Sequence, residues 1–157
     1  MKKIIVFLLL ISPLLVFAQS KKEVKKNGIK SATELVVKSD GSTVKDSFKK
    51  FDKNGNVSEE ISFDKAGKTK DRATYKYNAI NEKSEKSVFD PSGKLLSREV
   101  YKYNADEQKI EELEYNGSNV LVSKATYSFN KKGQKVLKKT FDAKGVLIQT
   151  KMYQYEY

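Results

Sequence analysis

From residue 37 onward, apolar and polar positions alternate in short runs, and nearly every run ends in an aromatic residue followed by Asp or Asn. The pairs are Phe51-Asp52, Phe63-Asp64, Tyr77-Asn78, Phe89-Asp90, Tyr103-Asn104, Tyr115-Asn116, Phe129-Asn130 and Phe141-Asp142, and Tyr155-Glu156 closes the series. The steps from one aromatic to the next are 12 and 14 in strict alternation, so the repeating unit is their sum, 26. Four such units fill the stretch from Phe51 to Tyr155. Val37-Lys38-Ser39-Asp40-Gly41 begins a degenerate copy, one long step before Phe51. A fixed period of this length marks a repeat architecture.

Three residues after each Asp or Asn come Gly55, Gly67, Asn81, Gly93, Glu107, Asn119, Gly133 and Gly145. Gly and Asn tolerate a left-handed backbone, and an Asx side chain can cap the turn that it opens. The pattern predicts a type I turn closed by a left-handed bulge residue, a common hairpin connection. Structural turn roles are assigned on this basis to Asp52, Gly55, Asp64, Gly67, Asp90, Gly93, Asn130, Gly133, Asp142 and Gly145. Glu107 breaks the rule, which predicts a looser turn there.

The longer segments between turns end in aromatics two residues apart: Tyr75/Tyr77, Tyr101/Tyr103, Tyr127/Phe129 and Tyr153/Tyr155. Side chains two apart share one face of a strand. The predicted fold is therefore all-β: an antiparallel meander of tandem hairpins with nine or ten strands and no helix. The aromatics are expected on one face and the Lys, Glu, Ser and Thr on the other. Right-handed twist should curl the sheet until the aromatic face closes on itself, barrel-like or as a half-shell.

Residues 1–18 change where this sheet is expected to reside. Lys2-Lys3 precede an apolar run, and Val16-Phe17-Ala18 fits the end of a secretory signal peptide, with cleavage after Ala18. The apolar run is shorter than the roughly 20 residues that span a bilayer. The product is expected in the periplasm or outside the cell. Residues 19–34, with Lys21-Lys22 and Lys25-Lys26, read as a basic flexible arm, and 35–157 as the repeat domain. A transmembrane barrel is disfavoured because Lys68-Thr69-Lys70-Asp71-Arg72 and Glu82-Lys83-Ser84-Glu85-Lys86 put charge on both faces.

Charge and composition narrow the chemistry. The chain has 31 Lys+Arg against 20 Asp+Glu and no His, Cys or Trp. Imidazole or thiol catalysis, zinc–thiolate sites and disulfides are excluded. Asp exchanges with Asn at the turn positions, so hydrogen bonding, not proton transfer, explains those carboxylates. Asp52-x-Asn54-x-Asn56 lacks the Gly position and closing Glu of a calcium loop. Arg72 and Arg98 are the only arginines, which argues against a nucleic-acid reader. No catalytic residue, metal or cofactor is assigned.

Tyr-x-Tyr-Asn at 75–78 and 101–104, alternating with Phe-Asp-x-x-Gly at 63–67, 89–93 and 141–145, resembles the YD repeats of RHS-type proteins. The resemblance covers roughly residues 37–157, and a weaker one is to MORN-like repeats. It implies hairpin geometry and an association with cell-surface and carbohydrate contact. The Arg that often follows the turn Gly in that family is absent: Asn56, Lys68, Lys94, Gln134 and Val146 stand there.

Aromatic rows with hydroxyl tips suit sugar rings. The leading expectation is a secreted non-enzymatic module that binds surface glycan or another envelope component through Tyr101, Tyr103, Tyr127, Tyr153 and Tyr155. The alternative is a protein-interaction module that docks by edge-strand addition at 146–157 onto a larger repeat protein or toxin shell.

Overall fold

The computed structural model describes residues 20–156, so the expected signal peptide at 1–18 lies outside the described residues. Ten strands follow one short helix: α1 (Lys21–Asn27), β1 (Ser31–Val37), β2 (Thr43–Phe51), β3 (Val57–Phe63), β4 (Thr69–Tyr77), β5 (Lys83–Phe89), β6 (Leu95–Tyr103), β7 (Lys109–Asn116), β8 (Leu121–Phe129), β9 (Lys135–Asp142) and β10 (Leu147–Met152). They form a single antiparallel sheet in strict chain order. The meander is the one the repeat predicts.

The turns are built alike. Asp52 Oδ1 accepts from the amides of Asn54 and Asn56 at 2.8 and 2.9 Å, and Gly55 N donates to Asp52 O at 3.0 Å. Asp64, Asp90, Asn130 and Asp142 accept in the same way from residues two and four further on. Gly55, Gly67, Gly93, Gly133 and Gly145 hold φ between 75° and 88°. Each left-handed residue feeds a register shift at or near the turn, the bulge that hairpins of this kind require. Glu107 holds the same left-handed backbone, φ 61°, with Glu107 N donating to Asn104 O at 3.1 Å. That turn is not looser: Asn104 Nδ2 also donates to Gln108 Oε1 at 3.0 Å, and these bonds hold a residue that disfavours the conformation.

The sheet does not close. Among the described residues β1 pairs only with β2 and β10 only with β9, so the barrel-like or half-shell closure inferred from the sequence is corrected to an open single layer. The aromatics also do not share one face. Every pre-turn aromatic has an odd number. Between the bulges, however, antiparallel partners pair odd with even, as in Arg72↔Phe89, Tyr75↔Lys86 and Arg98↔Tyr115, while the pair next to each turn, such as Tyr77↔Lys83, joins odd with odd. The face that odd residues occupy therefore flips at each strand. Tyr75, Tyr77, Tyr101, Tyr103, Tyr127 and Phe129 lie on one face, called here the tyrosine face. Phe63, Phe89, Tyr115 and Phe141 lie on the other. With rings on both sides of one layer, neither side forms a core. The only buried apolar residues among those described are Val24, Ala73 and Ala125.

The segment expected to be a flexible arm instead carries α1 and β1. Ser20 and Glu23 form a capping box, and Gly28 closes the helix in the left-handed region. Val24 is 1% exposed, the most buried apolar side chain described. The helix backbone rests on the β2–β3 turn: a Cβ at Gly55 would lie 2.4 Å from Lys21 O. Asn54 Nδ2 then donates to Asn81 Oδ1 at 2.9 Å and ties that turn to the β4–β5 turn. A helix this short carries one buried apolar side chain, too few for periodicity to reveal it in sequence.

Candidate functional site

The period that places the tyrosines also places lysines between them. Lys83, Lys109 and Lys135 stand one repeat apart at the starts of the short strands β5, β7 and β9. Lys83 Nζ lies 4.3 Å from the Tyr75 ring centroid. Lys109 Nζ lies 5.0 Å from Tyr101 and 4.9 Å from Tyr127, and Lys135 Nζ 5.5 Å from Tyr127 and 4.8 Å from Tyr153. Ring faces attract cations, which holds the Lys109 and Lys135 ammoniums each between two rings. Strands are about 4.8 Å apart, which sets successive lysines of this row roughly 10 Å from one another.

Carboxylates tie down the hydroxyl ends of the rings. Tyr75 Oη donates to Glu60 at 2.9 Å, Tyr127 Oη to Glu112 at 2.8 Å, and Tyr101 Oη to Glu99. Lys49, Lys109 and Lys86 pair with Glu60, Glu112 and Glu99 at 3.3, 2.7 and 3.1 Å. Burial, then these carboxylate bonds, pushes the Tyr75, Tyr101 and Tyr127 hydroxyls well above the usual phenol range. Burial raises Glu112, but bonds from Lys109 and Tyr127 outweigh it and hold the carboxyl below its ordinary value. Burial pulls Lys83 down, reinforced by nearby Lys86. In these units the face is a polar network with its rings and charges committed to one another.

The last repeat breaks that balance. One position of the short strands is Glu60, Lys86, Glu112 and Lys138 in successive units. Lys86 is opposed across the strands by Glu99, whereas Lys138 is opposed by Lys151, two repeats after Glu99. Lys138 Nζ lies 5.5 Å from the Tyr127 ring, which it shares with Lys135. Glu112 of the preceding unit, already bonded to Lys109 and Tyr127, is the carboxylate that also attracts Lys138. The long-strand position opposite them is Ala73, Glu99, Ala125 and Lys151 in successive units, so the unit with Lys86 gains a glutamate there and the unit with Lys138 gains a third lysine beside Lys135. Across residues 121–157 there are eight Lys against Asp142 and Glu156. Like charges directly opposed across strands are destabilising by up to about 1 kcal/mol, so the sheet alone gains nothing from this pairing.

The five tyrosines singled out by sequence fall on this face. Tyr101 and Tyr127 are joined through Lys109, and Tyr127 and Tyr153 through Lys135. Tyr101 and Tyr103 line an open groove of about 420 Å³ with Glu82, Lys83, Glu107 and Lys109. Tyr103 and Tyr155 serve the backbone: their hydroxyls donate to Lys83 O and Lys135 O at 2.8 and 2.7 Å. The sequence reading missed the interleaved lysines and the Lys138/Lys151 pair. The repeat period applied to charged residues finds the Lys83, Lys109 and Lys135 row, whereas the Lys138/Lys151 opposition shows only in the strand pairing.

The opposite face carries a second series at the same period. Glu59 bridges Lys50 and Arg72 at 2.6 and 3.4 Å, Glu85 bridges Lys76 and Arg98 at 2.8 and 3.5 Å, and Glu111 bridges Lys102 and Lys124 at 2.6 and 2.9 Å. Hydrogen bonds from Lys50, Lys76 and Lys102 hold the three carboxyls below the usual glutamate range. In the fourth unit these positions are Ser128, Leu137 and Thr150, and the triad is gone.

No known protein family and no curated protein matches the chain. Among solved structures, it is similar to a Bacteroides fragilis protein of unknown function at 14% identity and TM-score 0.49, over 82% of this chain and 95% of that one. A porin-like protein from Bacteroides uniformis is similar at 12% identity and TM-score 0.42, over 74% of this chain and 47% of that one. S. aureus TarM is similar at 15% identity and TM-score 0.32, over 82% of this chain and 23% of that one.

Proposed function

We propose that this protein is a secreted, non-enzymatic binding module for an anionic polymer of the cell envelope, an acidic surface glycan in the first instance. The observation that carries the reading is the Lys138/Lys151 pair, opposed in register beside Lys135, which sits between Tyr127 and Tyr153. A cation cluster short of carboxylates weakens the sheet and is relieved when an anion sits on it. The same ammoniums stand over the rings of Tyr127 and Tyr153, so charge, not ring stacking, is the recognition this surface offers, and a neutral sugar finds little free ring there.

The test compares a polyuronate with neutral dextran by affinity electrophoresis or calorimetry. The polyuronate should be bound and released as salt rises, because the Debye length shrinks from about 8 Å at 0.15 M to about 3 Å at 1 M. Dextran should not bind. Equal retention of both polymers, or of neither at low salt, contradicts the proposal.

A further inference from the structure

The two edges of the sheet are complementary as elements of the repeat. The short strands β3, β5, β7 and β9 alternate with the long strands β4, β6 and β8, and β10 begins where the next long strand falls. The place beside β10 is therefore that of a short strand. β1 (Ser31–Val37) is one: Ser31 stands four repeat lengths before Lys135, and Val37 one repeat length before Phe63. Neither outer edge has a strand partner among the described residues.

Exposed apolar residues gather at the same two edges. Leu35, Val36 and Val37 on β1 are 51%, 50% and 67% exposed. On and beside β10, Val146, Leu147, Ile148 and Met152 are 58%, 49%, 60% and 76% exposed. Soluble proteins commonly protect edge strands with inward-pointing charges and lysines. β1 has a single charged residue, Glu34, and β10 a single one of opposite sign, Lys151.

We infer that β1 of one copy adds to β10 of another, head to tail, in the register the repeat already uses. Shifting the β4–β5 pairing by whole repeats puts Met152 opposite Leu35, Thr150 opposite Val37, Lys151 opposite Val36 and Tyr153 opposite Glu34 of the second copy. Met152 and Leu35 then cover each other on one face. Lys151 and Glu34 become diagonal neighbours of opposite charge on the tyrosine face. The contact is heterologous and leaves an unused β1 and an unused β10 at the ends, so it propagates as a ribbon and does not stop at a dimer.

The experiment is sedimentation velocity on the purified protein, without glycan, across a wide range of concentration. The average mass should rise continuously past that of a dimer. Val36→Lys/Val37→Lys blocks the first edge and Ile148→Lys/Met152→Lys the second, and all four side chains are exposed, so circular dichroism should be unchanged. Each variant alone should be monomeric, and an equimolar mixture should stop at a one-to-one heterodimer. A wild-type monomer at every concentration overturns the inference. So does a self-associating β1 variant, which would indicate a symmetric β10–β10 contact, or a monomeric mixture. Because no polymer is present, these outcomes are independent of the binding test above.

Discussion

Gly55 and Gly93 have similar backbone angles, φ 81° and 88°, and different surroundings. A Cβ at Gly93 meets nothing within 4 Å, whereas one at Gly55 would lie 2.4 Å from the Lys21 carbonyl. Gly93→Ala should therefore lose only the roughly 1–2 kcal/mol that a left-handed backbone costs a non-glycine residue. Gly55→Ala should lose more, because α1 must also lift from the turn. Equal urea midpoints for the two variants would contradict this. Glu107 is the converse case, a left-handed residue without glycine's freedom, and Glu107→Gly should raise stability by about 1 kcal/mol. The Asx and Gly positions were legible because turn chemistry is local. Gly117 was not: a Cβ there would lie 2.3 Å from Leu95 O, and a clash with a distant strand leaves no mark in its own neighbourhood.

In three hairpins Tyr77, Tyr103 and Tyr155 send a hydroxyl to the carbonyl 20 residues earlier, and Phe51 and Phe129 occupy the equivalent places without one. Phe129→Tyr should gain up to about 1 kcal/mol if its hydroxyl reaches Lys109 O, and Tyr103→Phe should lose a similar amount. Titration gives the stability two flanks, the acid one shared by Glu112 of the tyrosine face with the glutamates of the other face. Glu59, Glu85 and Glu111 have carboxyls held low in the folded protein, so their contribution is complete above the unfolded glutamate value of about 4.3 and is lost as pH falls through the folded values. The tyrosines behave oppositely. Burial pushes Tyr77 up to about 12, so that contribution holds below the unfolded value near 10 and disappears as pH rises toward 12. Stability measured by urea should fall on both flanks, and Glu85→Gln should flatten the acid flank alone. The individual exposed pairs are worth less than about 1 kcal/mol each, so the acid flank should be shallow.

At the scale of the molecule, an antiparallel meander of nine or ten strands and its repeating unit are readable, because strand length and turn spacing are properties of contiguous sequence. Which face each aromatic occupies is not, since it depends on odd residues pairing with even ones across strands, as Tyr75 does with Lys86. Openness was also hidden: closure would require β1 to meet β10, and no local pattern states whether two distant edges meet. The candidate tyrosines were legible as a row. The lysines that give the row its chemistry were overlooked, because Lys151 matters only through its partner: it faces Lys138 where Glu99 faces Lys86.

The opposition of Lys138 and Lys151 is measured most directly by two quantities read on one variant, Lys138→Gln/Lys151→Gln. Removing the opposed charges should raise the urea midpoint while weakening polyuronate binding by about fivefold, the equivalent of roughly 1 kcal/mol. A variant that loses stability and binds the polyuronate as tightly as the parent would contradict the role proposed for this pair.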